Sequence, residues 1–374
     1  MRFSEIKSHI VNREGYESID AIHRAGYRLV KARDSDRHFL ARPDDLQPLL
    51  VRLGDLAEVR FGIKTGANEF FYLEPVGTTV AELFRAGAQQ PSQPTVRVRN
   101  GADWQGELET AWLRPVIKSP RELKTLRVRL EDLRYLVLMP PDDVRQRLHD
   151  TAYIQQRYPK AYAYIQWGER QGYQQRSTCQ GRPVWWDLGG SHDSCIVWAM
   201  IHAERHSMHY NELGVELDHN FFEVLADSDA IPVLSGILAS TKGIFVKELF
   251  GRQYGGGSGP IKTEGTDIKA FLVPNPAAFT AAQRDRLLDA FERMAQREVR
   301  SIFEELGYPK PNRDYSNIDP AALTLEQVQR ASPDRFELDA VVFEVLGLND
   351  AERLAVYRAV VELVRNRLVK ARSV

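Results

Sequence analysis

The chain has 374 residues, of which 43% are hydrophobic and 10% aromatic, so it can bury a sizeable core and is longer than one ordinary compact domain. Fifty Lys and Arg against 51 Asp and Glu give a formal net charge of −1, which removes whole-protein charge as an argument for a nucleic-acid partner. The composition excludes a disordered or collagen-like chain, and no apolar run approaches the roughly 18 residues of a membrane span.

Two features of the sequence bear on the cellular compartment. The only cysteines, Cys179 and Cys195, cannot form a disulfide framework and fit a reducing environment. The N-terminal residues MRFSEIKSHIVNREG are charged and lack the apolar core of a signal peptide. We therefore expect a cytoplasmic protein with no membrane partner.

Residues 1–50 combine weak helical periodicity with a polar, proline-containing stretch, and predict a lead-in or junction rather than a domain. From residue 51 the pattern changes to short strand candidates interrupted by helical pieces. The strand candidates are 95–100, 134–140, 194–201, 221–226, 242–250 and 268–274, and the helical pieces are 143–171 and 228–242. Because strands and helices do not alternate regularly, the sequence predicts an α+β domain over 51–276, with a mixed, mostly antiparallel sheet and inserted helices.

The pattern changes again after the turn at 274–276. Residues 280–306 place apolar side chains near a 3.6-residue period, and a second helical stretch covers the end of the chain. Within that stretch Asn349 or Asp350 can cap a new helix whose first turn contains Glu352. Residues 277–374 are therefore predicted to form a C-terminal helical segment.

The sequence lacks the common catalytic signatures: it has no GxxxxGK[ST] loop, no HExxH, no CxxC and no GxSxG. The glycine-rich run at 255–259 is best interpreted as a tight loop between two strands. A more specific candidate is the histidine string at His202, His206 and His209, which on a helix would share one face and suit a metal ion. The surrounding residues favour a strand, so we predict no metal site and keep a metal-dependent nuclease or hydrolase as a weaker alternative.

One segment resembles a known family. VRFGIKTGANEFFYL (59–73), preceded by LGDL (53–56), is similar to the opening of the target-recognition region at the C-terminal end of N-6 adenine DNA methyltransferases of restriction-modification systems, the TaqI-like specificity region. Further stretches are similar to that family in the same order. They are LRPVIKSP (113–120), AYIQWGE (163–169), TCQGRPVWWDL (178–188), NFFEV (220–224), ILAST (237–241), GGGSG (255–259), DIKAFLVPNP (267–276), ELDAVVFEVLG (337–347) and RNRLVK (365–370).

The sequence departs from the methylating members of that family. These carry an upstream domain with a glycine-rich loop for S-adenosylmethionine and an Asn/Asp-Pro-Pro-Tyr/Phe motif, and neither is present here. The one Asn-Pro pair, Asn275 and Pro276, is followed by Ala277 and lies in the exit turn. The resemblance therefore implies a chain without catalytic residues or a cofactor of its own, and S-adenosylmethionine would belong to a partner or to a missing domain.

A DNA-binding region needs cations for phosphates and planar hydrogen-bonding groups for bases. Residues 111–182 contain 14 Lys and Arg against 7 Asp and Glu, with aromatic residues interleaved. The turn at 61–68 adds glycines, a cation and two polar side chains. The residues expected to contact DNA are Lys64, Thr65, Asn68, Arg114, Lys118, Arg121, Lys124, Arg176, Arg182, Arg252 and Lys262.

Plainer structural interpretations remain for the same residues. Segment 121–134 could be a solvated helical face, the 61–68 turn a tight hairpin capped by Asn68, and Trp185 and Trp186 part of a core. The C-terminal helices could pack against a methyltransferase partner or simply close the core of the domain.

The leading hypothesis is a sequence-specific module that binds double-stranded DNA in a restriction-modification system for phage defence and is not catalytic by itself. The alternative is the C-terminal part of a complete adenine-N6 DNA methyltransferase or of a bifunctional restriction enzyme.

Overall fold

A computed structural model describes residues 28–31, 38–41, 49–85, 90–190, 195–206, 208–253, 259–312, 314–315 and 317–370. Most of the predicted lead-in lies outside them. The strands are β1 (Arg28–Lys31), β2 (His38–Ala41), β3 (Leu50–Arg52), β4 (Glu58–Phe61), β5 (Tyr72–Pro75), β6 (Thr95–Asn100), β7 (Gln105–Glu109), β8 (Leu113–Ile117), β9 (Tyr135–Leu138), β10 (Cys195–Ala199), β11 (Ile201–His202), β12 (Met208–Asn211), β13 (Glu216–Leu217), β14 (Phe221–Leu225), β15 (Arg252–Gln253), β16 (Ile261–Lys262) and β17 (Leu272–Pro274).

Helices occur between the strands and dominate the C-terminal part. They are α1 (Asn68–Phe71), α2 (Val80–Leu83), α3 (Asp142–Arg145), α4 (Thr151–Arg157), α5 (Pro159–Arg170), α6 (Ser177–Gln180), α7 (Ile231–Ala239), α8 (Thr241–Phe250), α9 (Gly265–Ala270), α10 (Ala281–Ala295), α11 (Ile302–Glu305), α12 (Leu325–Ala331), α13 (Pro333–Val345) and α14 (Asp350–Lys370). The predicted α+β class, with its C-terminal helical segment, is confirmed.

Two sheets organise the strand-rich part. One has six strands in the order β13-β8-β9-β5-β6-β7, and the other has four in the order β12-β10-β14-β4. Smaller sheets join β11-β16-β15 and β17-β3, and β1 pairs with β2. The pairings of these strands are antiparallel except for β13 and β8, which run parallel. The predicted preference for antiparallel pairing is therefore also confirmed.

Three groups of buried apolar side chains hold these elements together. The first lies on the six-stranded sheet and packs helices α4 and α5 against it through residues such as Phe70 and Tyr164. The second joins the four-stranded sheet to α7, α10 and α13. The third lies among α8, α11, α13 and α14 and contains Phe303 and Tyr357.

The second apolar core includes residues on both sides of residue 276. Leu287 and Phe291 of α10 pack with Leu234 and Ile237 of α7, and Gly236 leaves just enough room for Leu287, whose Cγ would be 3.1 Å from an added Cβ. The division of the chain at residue 276 stays a prediction. The C-terminal helices nevertheless close the core of the strand-rich part, as one of the two sequence alternatives expected.

Two strand predictions are wrong. Residues 242–250 form helix α8, whose N-terminal turn is fixed by the Ser240 hydroxyl accepting the Gly243 N–H at 3.2 Å. Its apolar residues are buried over most of its circumference, so no clear helical period marks the sequence. Residues 268–274 begin in helix α9 and become extended only from Leu272.

The predicted start of the last helix is confirmed. Asn349 accepts the Glu352 N–H at 3.1 Å, and the Glu352 carboxylate accepts the Asn349 N–H at 2.9 Å. None of the helices in the described part of the chain combines the length and the apolar character of a membrane span.

Candidate nucleic-acid interface

The parallel pair of strands directs two loops to one edge of the six-stranded sheet. In β13 and β8, Leu217 lies opposite Ile117, and the Asp218 N–H continues the ladder to the Ile117 carbonyl at 2.9 Å. Parallel strands end at the same edge. The chain segments that leave these strands, beginning at Lys118 and Asp218, therefore start side by side.

The turn predicted to bind phosphate joins the same edge. The Ile63 N–H donates to the Leu217 carbonyl at 2.6 Å, and the His219 N–H donates to the Ile63 carbonyl at 3.0 Å. Gly62 allows this approach, because an added Cβ would lie 2.5 Å from the carbonyl oxygens of both Leu217 and Asp218. Residues 61–68, 117–122 and 217–221 are thus connected, and we call them the three-segment edge.

Three of the predicted cations lie on the three-segment edge. Lys64 and Arg121 are exposed, and neither has a carboxylate within ion-pair distance among the described residues. The ammonium of Lys118 lies over the Tyr135 ring at 4.1 Å and the Tyr72 ring at 5.1 Å. None of the three forms an ion pair with a carboxylate of the described residues, although Glu122 and Asp218 lie on the same edge.

Local hydrogen bonds order the segment that presents Lys118 and Arg121. The Glu122 carboxylate accepts the N–H groups of Lys118 and Ser119, both at 2.8 Å, and the Ser119 hydroxyl accepts the Arg121 N–H at 3.3 Å. The short 3-10 turn Pro120–Glu122 follows from this capping. Segment 121–134 is accordingly not a helical face, and its second ordered piece is another 3-10 turn, Leu130–Asp132.

Tyr72 and Asp218 tie this edge to the core. The Tyr72 hydroxyl donates to Asp218 Oδ2 at 2.5 Å. Burial, together with the Asp218 charge, raises the pKa of Tyr72 well above its ordinary value, so this hydroxyl stays protonated and keeps donating. The other Asp218 oxygen accepts the Asn220 N–H at 3.0 Å and lies 3.3 Å from His219 Nδ1.

Arg182 holds the 61–68 turn instead of projecting from it, and Arg176 pairs with the residue that follows the turn. The Arg182 guanidinium donates to the carbonyls of Lys64, Thr65 and Trp185, with the latter two at 2.8 and 2.9 Å. Arg176 forms an ion pair with Glu69 and lies over the Tyr173 ring at 4.7 Å. Arg182 is thus a structural clamp, since its donors are spent on backbone carbonyls.

The two polar side chains of the turn bond to each other. Thr65 is 1% exposed and donates its hydroxyl to Asn68 Oδ1. Thr65 therefore stabilises the turn and offers no free group at the surface. The turn is not the tight hairpin of the sequence alternative, because the strands on either side of it, β4 and β5, belong to different sheets. Asn68 is exposed at the start of α1, and its amide nitrogen has no partner among the residues described.

Strand-to-strand hydrogen bonds extend the three-segment edge to the hairpin that carries Arg252 and Lys262. The Met200 N–H donates to the Asn220 carbonyl, and the Thr263 N–H donates to the Met200 carbonyl, both at 3.0 Å. Arg252 pairs with Asp267 at 2.8 Å, and Lys262 pairs with Glu264 at 2.7 Å. Residues 254–258 of the glycine loop lie outside the described residues, but the antiparallel strands β15 and β16 enclose it, as the sequence predicted.

The remaining two predicted cations have other surroundings. Arg114 is half-buried and donates to the carbonyls of Ala111 and Leu113 at 3.2 and 3.1 Å, and burial lowers its pKa. Lys124 pairs with Asp132 at 2.8 Å, and its own carbonyl accepts the Val299 N–H at 2.8 Å. Lys124 therefore lies at the contact with the segment between α10 and α11.

The aromatic residues of the basic stretch form a core, not a stacking surface. Tyr164 stacks on Phe70 with a centroid distance of 4.7 Å, and Trp167 stacks on Tyr164 at 5.4 Å. Trp185 contacts Phe70 at 4.9 Å, while Trp186 is buried against Trp112. The interpretation of Trp185 and Trp186 as core residues agrees with this packing.

The histidine string is divided by the fold. Among the described residues of 195–211, three short strands occur, β10, β11 and β12, so the three histidines do not share the face of a helix. His209 Nδ1 lies 2.7 Å from the Thr125 carbonyl. His202 and His206 instead meet Glu248 of α8, and their potential ligand atoms lie within 4.8 Å of one another.

The Arg367 guanidinium already pairs with the Glu248 carboxylate of this buried group. Arg367 donates from Nε to Glu248 Oε2 at 2.8 Å and from Nη2 to Oε1 at 2.7 Å, while His206 Nε2 lies 2.6 Å from Oε1. Burial lowers the pKa of His206 to about 4, so its ring is neutral near pH 7. A metal ion would have to share Glu248 with this guanidinium beside the buried Lys247 ammonium. The arrangement therefore suits an internal ion network better than a metal centre.

Three residues of the edge were missed by the sequence reasoning: Phe61, His219 and Asn220. Phe61 and Asn220 lie in segments that resemble the family, 59–73 and 220–224. Their convergence had no local signal, because the pairing of β13 with β8 joins segments about a hundred residues apart. Phe61 is 59% exposed and the His219 side chain is 47% exposed.

The fold and this edge define an α+β protein with a C-terminal helical segment and a cationic edge where three loops meet. Residues 107–305 match the model of a family described as Type II methyltransferase M.Eco57I, C-terminal domain. The match covers more than half of the chain, and the chain belongs to this family. The resemblance to the C-terminal target-recognition region of restriction-modification methyltransferases is thereby confirmed.

Two solved structures are similar to this chain over part of their length. The type IIG restriction endonuclease BpuSI matches at 14% identity and a TM-score of 0.43, covering 80% of this chain and 32% of its own. The type IIL restriction-modification enzyme MmeI, solved in complex with DNA, matches at 11% identity and a TM-score of 0.44, covering 93% of this chain and 42% of its own. The chain thus spans less than half of either structure. No curated protein matches it.

Proposed function

We propose that this chain binds double-stranded DNA and selects the target sequence for an adenine DNA methyltransferase or restriction-modification enzyme. The observation that carries the proposal is the three-segment edge, where Lys64, Lys118 and Arg121 meet on loops locked together by backbone hydrogen bonds. Because the backbone that carries these cations is already ordered, binding a phosphate adds no cost of ordering the loops. The exposed His219, Asn220 and Asn68 add groups able to bond base edges.

The paired cations on the neighbouring hairpin would have a second part in binding. Arg252 and Lys262 are partly neutralised by Asp267 and Glu264. Exposed ion pairs of this kind contribute little to stability, so a phosphate can replace the carboxylate at small cost. The hairpin can therefore extend the contact along the DNA.

The test is a salt titration of binding to a random-sequence duplex. Lys64→Ala and Arg121→Ala should each weaken binding and reduce the slope of log affinity against log salt by about 0.9, the value for one phosphate contact. Arg330→Ala, which removes an exposed cation from α12, is the matched control and should change neither quantity. Affinity that is independent of salt, or full affinity in both edge variants, would refute the proposal.

We assign methyl transfer to a partner or to a domain outside this sequence. The chain spans 32% and 42% of the two restriction-modification enzymes to which it is similar, which also supports the alternative of a C-terminal part of a complete methyltransferase. The purified chain, mixed with duplex DNA and S-adenosylmethionine, should transfer no methyl group. Detectable transfer would overturn this assignment. The length of the native reading frame separates a stand-alone subunit from a larger enzyme, and either would act in phage defence in the cytoplasm.

A further inference from the structure

Phe61 is the most exposed large hydrophobic side chain among the described residues. It is 59% exposed, compared with 42% for Leu49 and 43% for Val369. Exposing an aromatic ring to water forgoes the stabilisation that its burial would give. A ring in this position is therefore a candidate contact for a partner.

Phe222 packs against one face of the Phe61 ring and supports it. Phe61 lies opposite Phe222 in the β4–β14 pair, with the ring centroids 4.5 Å apart and the planes 39° from parallel. Phe222 is buried, and the first turn of α9 closes on it, because an added Cβ at Gly265 would lie 3.2 Å from its ring. Phe61 therefore has one supported face and one exposed face, and binding would cost it little conformational entropy.

The surroundings of Phe61 match the chemistry of nucleic acid. Lys64 follows three residues later in the same turn and is exposed. Phe222, which supports the ring, adjoins the start of α9, directly after the strand that carries Lys262. An exposed apolar ring beside a cation matches a base and its neighbouring phosphate. A protein partner or a second copy of this chain would need a wider apolar patch.

We propose that Phe61 inserts its exposed face against a base at one step of the bound duplex, while Lys64 binds the neighbouring phosphate. This inference rests on the proposed DNA binding and specifies the contact that gives it an apolar component. Contacts between aromatic side chains and bases are tolerant of sequence, because every base has a π face. Phe61 would therefore position and locally unstack the DNA, and the polar residues of the edge would select the sequence.

The test compares four proteins by their affinity for a random-sequence duplex and by their salt slope. Phe61→Ala should weaken binding about 5- to 100-fold with an unchanged salt slope, since it removes stacking and no charge. Phe61→Tyr, which keeps the ring, should bind like the wild type. Val369→Ala, which removes a comparably exposed apolar side chain from α14, should have no effect.

The outcomes separate this inference from the proposed function. If the wild type binds DNA with the expected salt dependence but Phe61→Ala retains full affinity, the inference fails and the proposed function stands. If the wild type does not bind, both fail. If the wild type self-associates and Phe61→Ala is monomeric with unchanged DNA affinity, Phe61 belongs to a protein interface and the inference is overturned. Should Phe61→Ala unfold, Phe61→Leu replaces it, and equal affinity of Phe61→Leu and Phe61→Tyr would count against stacking.

Discussion

Arg182 provides the sharpest distinction between a clamp and a DNA contact. Its guanidinium donates to the carbonyls of Lys64, Thr65 and Trp185. Substitution by alanine would leave these three acceptors without their charged donor. The Lys64 carbonyl can turn to water, because that residue is exposed, whereas Thr65 is 1% exposed and its carbonyl keeps only the weak Cys179 thiol contact at 3.8 Å.

The expected loss can be estimated from these contacts. A buried acceptor that loses its partner costs about 1–3 kcal/mol. With the Thr65 carbonyl fully affected, the Trp185 carbonyl partly affected and the Lys64 carbonyl solvated, Arg182→Ala should lower the free energy of unfolding by about 2–4 kcal/mol. Arg182→Lys should recover only part of this, since an ammonium cannot donate in the planar fork of a guanidinium.

Thermal unfolding and salt-dependent DNA binding, measured on the same proteins, form the assay. Arg182→Ala should lower Tm by several degrees and weaken DNA binding through the disordered turn, without the slope change of a lost phosphate contact. Lys64→Ala, in the same turn, should do the reverse: an unchanged Tm and a salt slope smaller by about 0.9. An Arg182→Ala protein with the wild-type Tm and the slope change of Lys64→Ala would refute the clamp.

Three further predictions concern stability. Burial raises the pKa of Glu216 to about 8, so the folded protein favours the neutral carboxyl group. The stability that this protonation contributes is complete below the ordinary pKa of 4.5 and is lost as the pH rises to 8. Glu216→Gln should therefore be more stable than the wild type to urea at pH 8.5 but not at pH 4.5. Gly62→Ala should lower the free energy of unfolding by about 1–3 kcal/mol, because the added Cβ would lie 2.5 Å from two carbonyl oxygens. The control is Gly181→Ala, whose added Cβ would lie 3.6 Å from the nearest atom, and it should leave Tm unchanged. Glu305→Gln should lower stability by about 3–5 kcal/mol, because it leaves Arg335 buried without its carboxylate at 2.9 Å; a denaturation midpoint equal to that of the wild type would contradict the estimate.

Elements with a local signal were predictable from the sequence. The alternation in TVRVRN places Val96 and Val98 in the core as β6. The apolar period over 280–306 predicted α10, although that helix ends at Ala295 and only Ile302–Glu305 is helical beyond it. Helix α8 was misread because Ile244, Phe245 and Val246 favour strands and because burial over most of its surface removes the helical period. Its identity as a helix is set by the Ser240 cap and by tertiary packing.

The candidate site was predictable in its composition but not in its arrangement. A surplus of seven positive charges over 111–182 indicated a basic surface, yet ion pairing is decided by partners that the chain supplies from elsewhere. Carboxylates from outside that stretch neutralise much of the surplus: Glu69, Glu74, Glu107, Asp187, Glu212 and Glu292. What distinguishes Lys64, Lys118 and Arg121 is their position beside the parallel strands β8 and β13, where the described carboxylates leave them unpaired. DNA binding is therefore inferred from the place where three loops converge. A count of basic residues alone would have indicated equally the arginines that stabilise the fold.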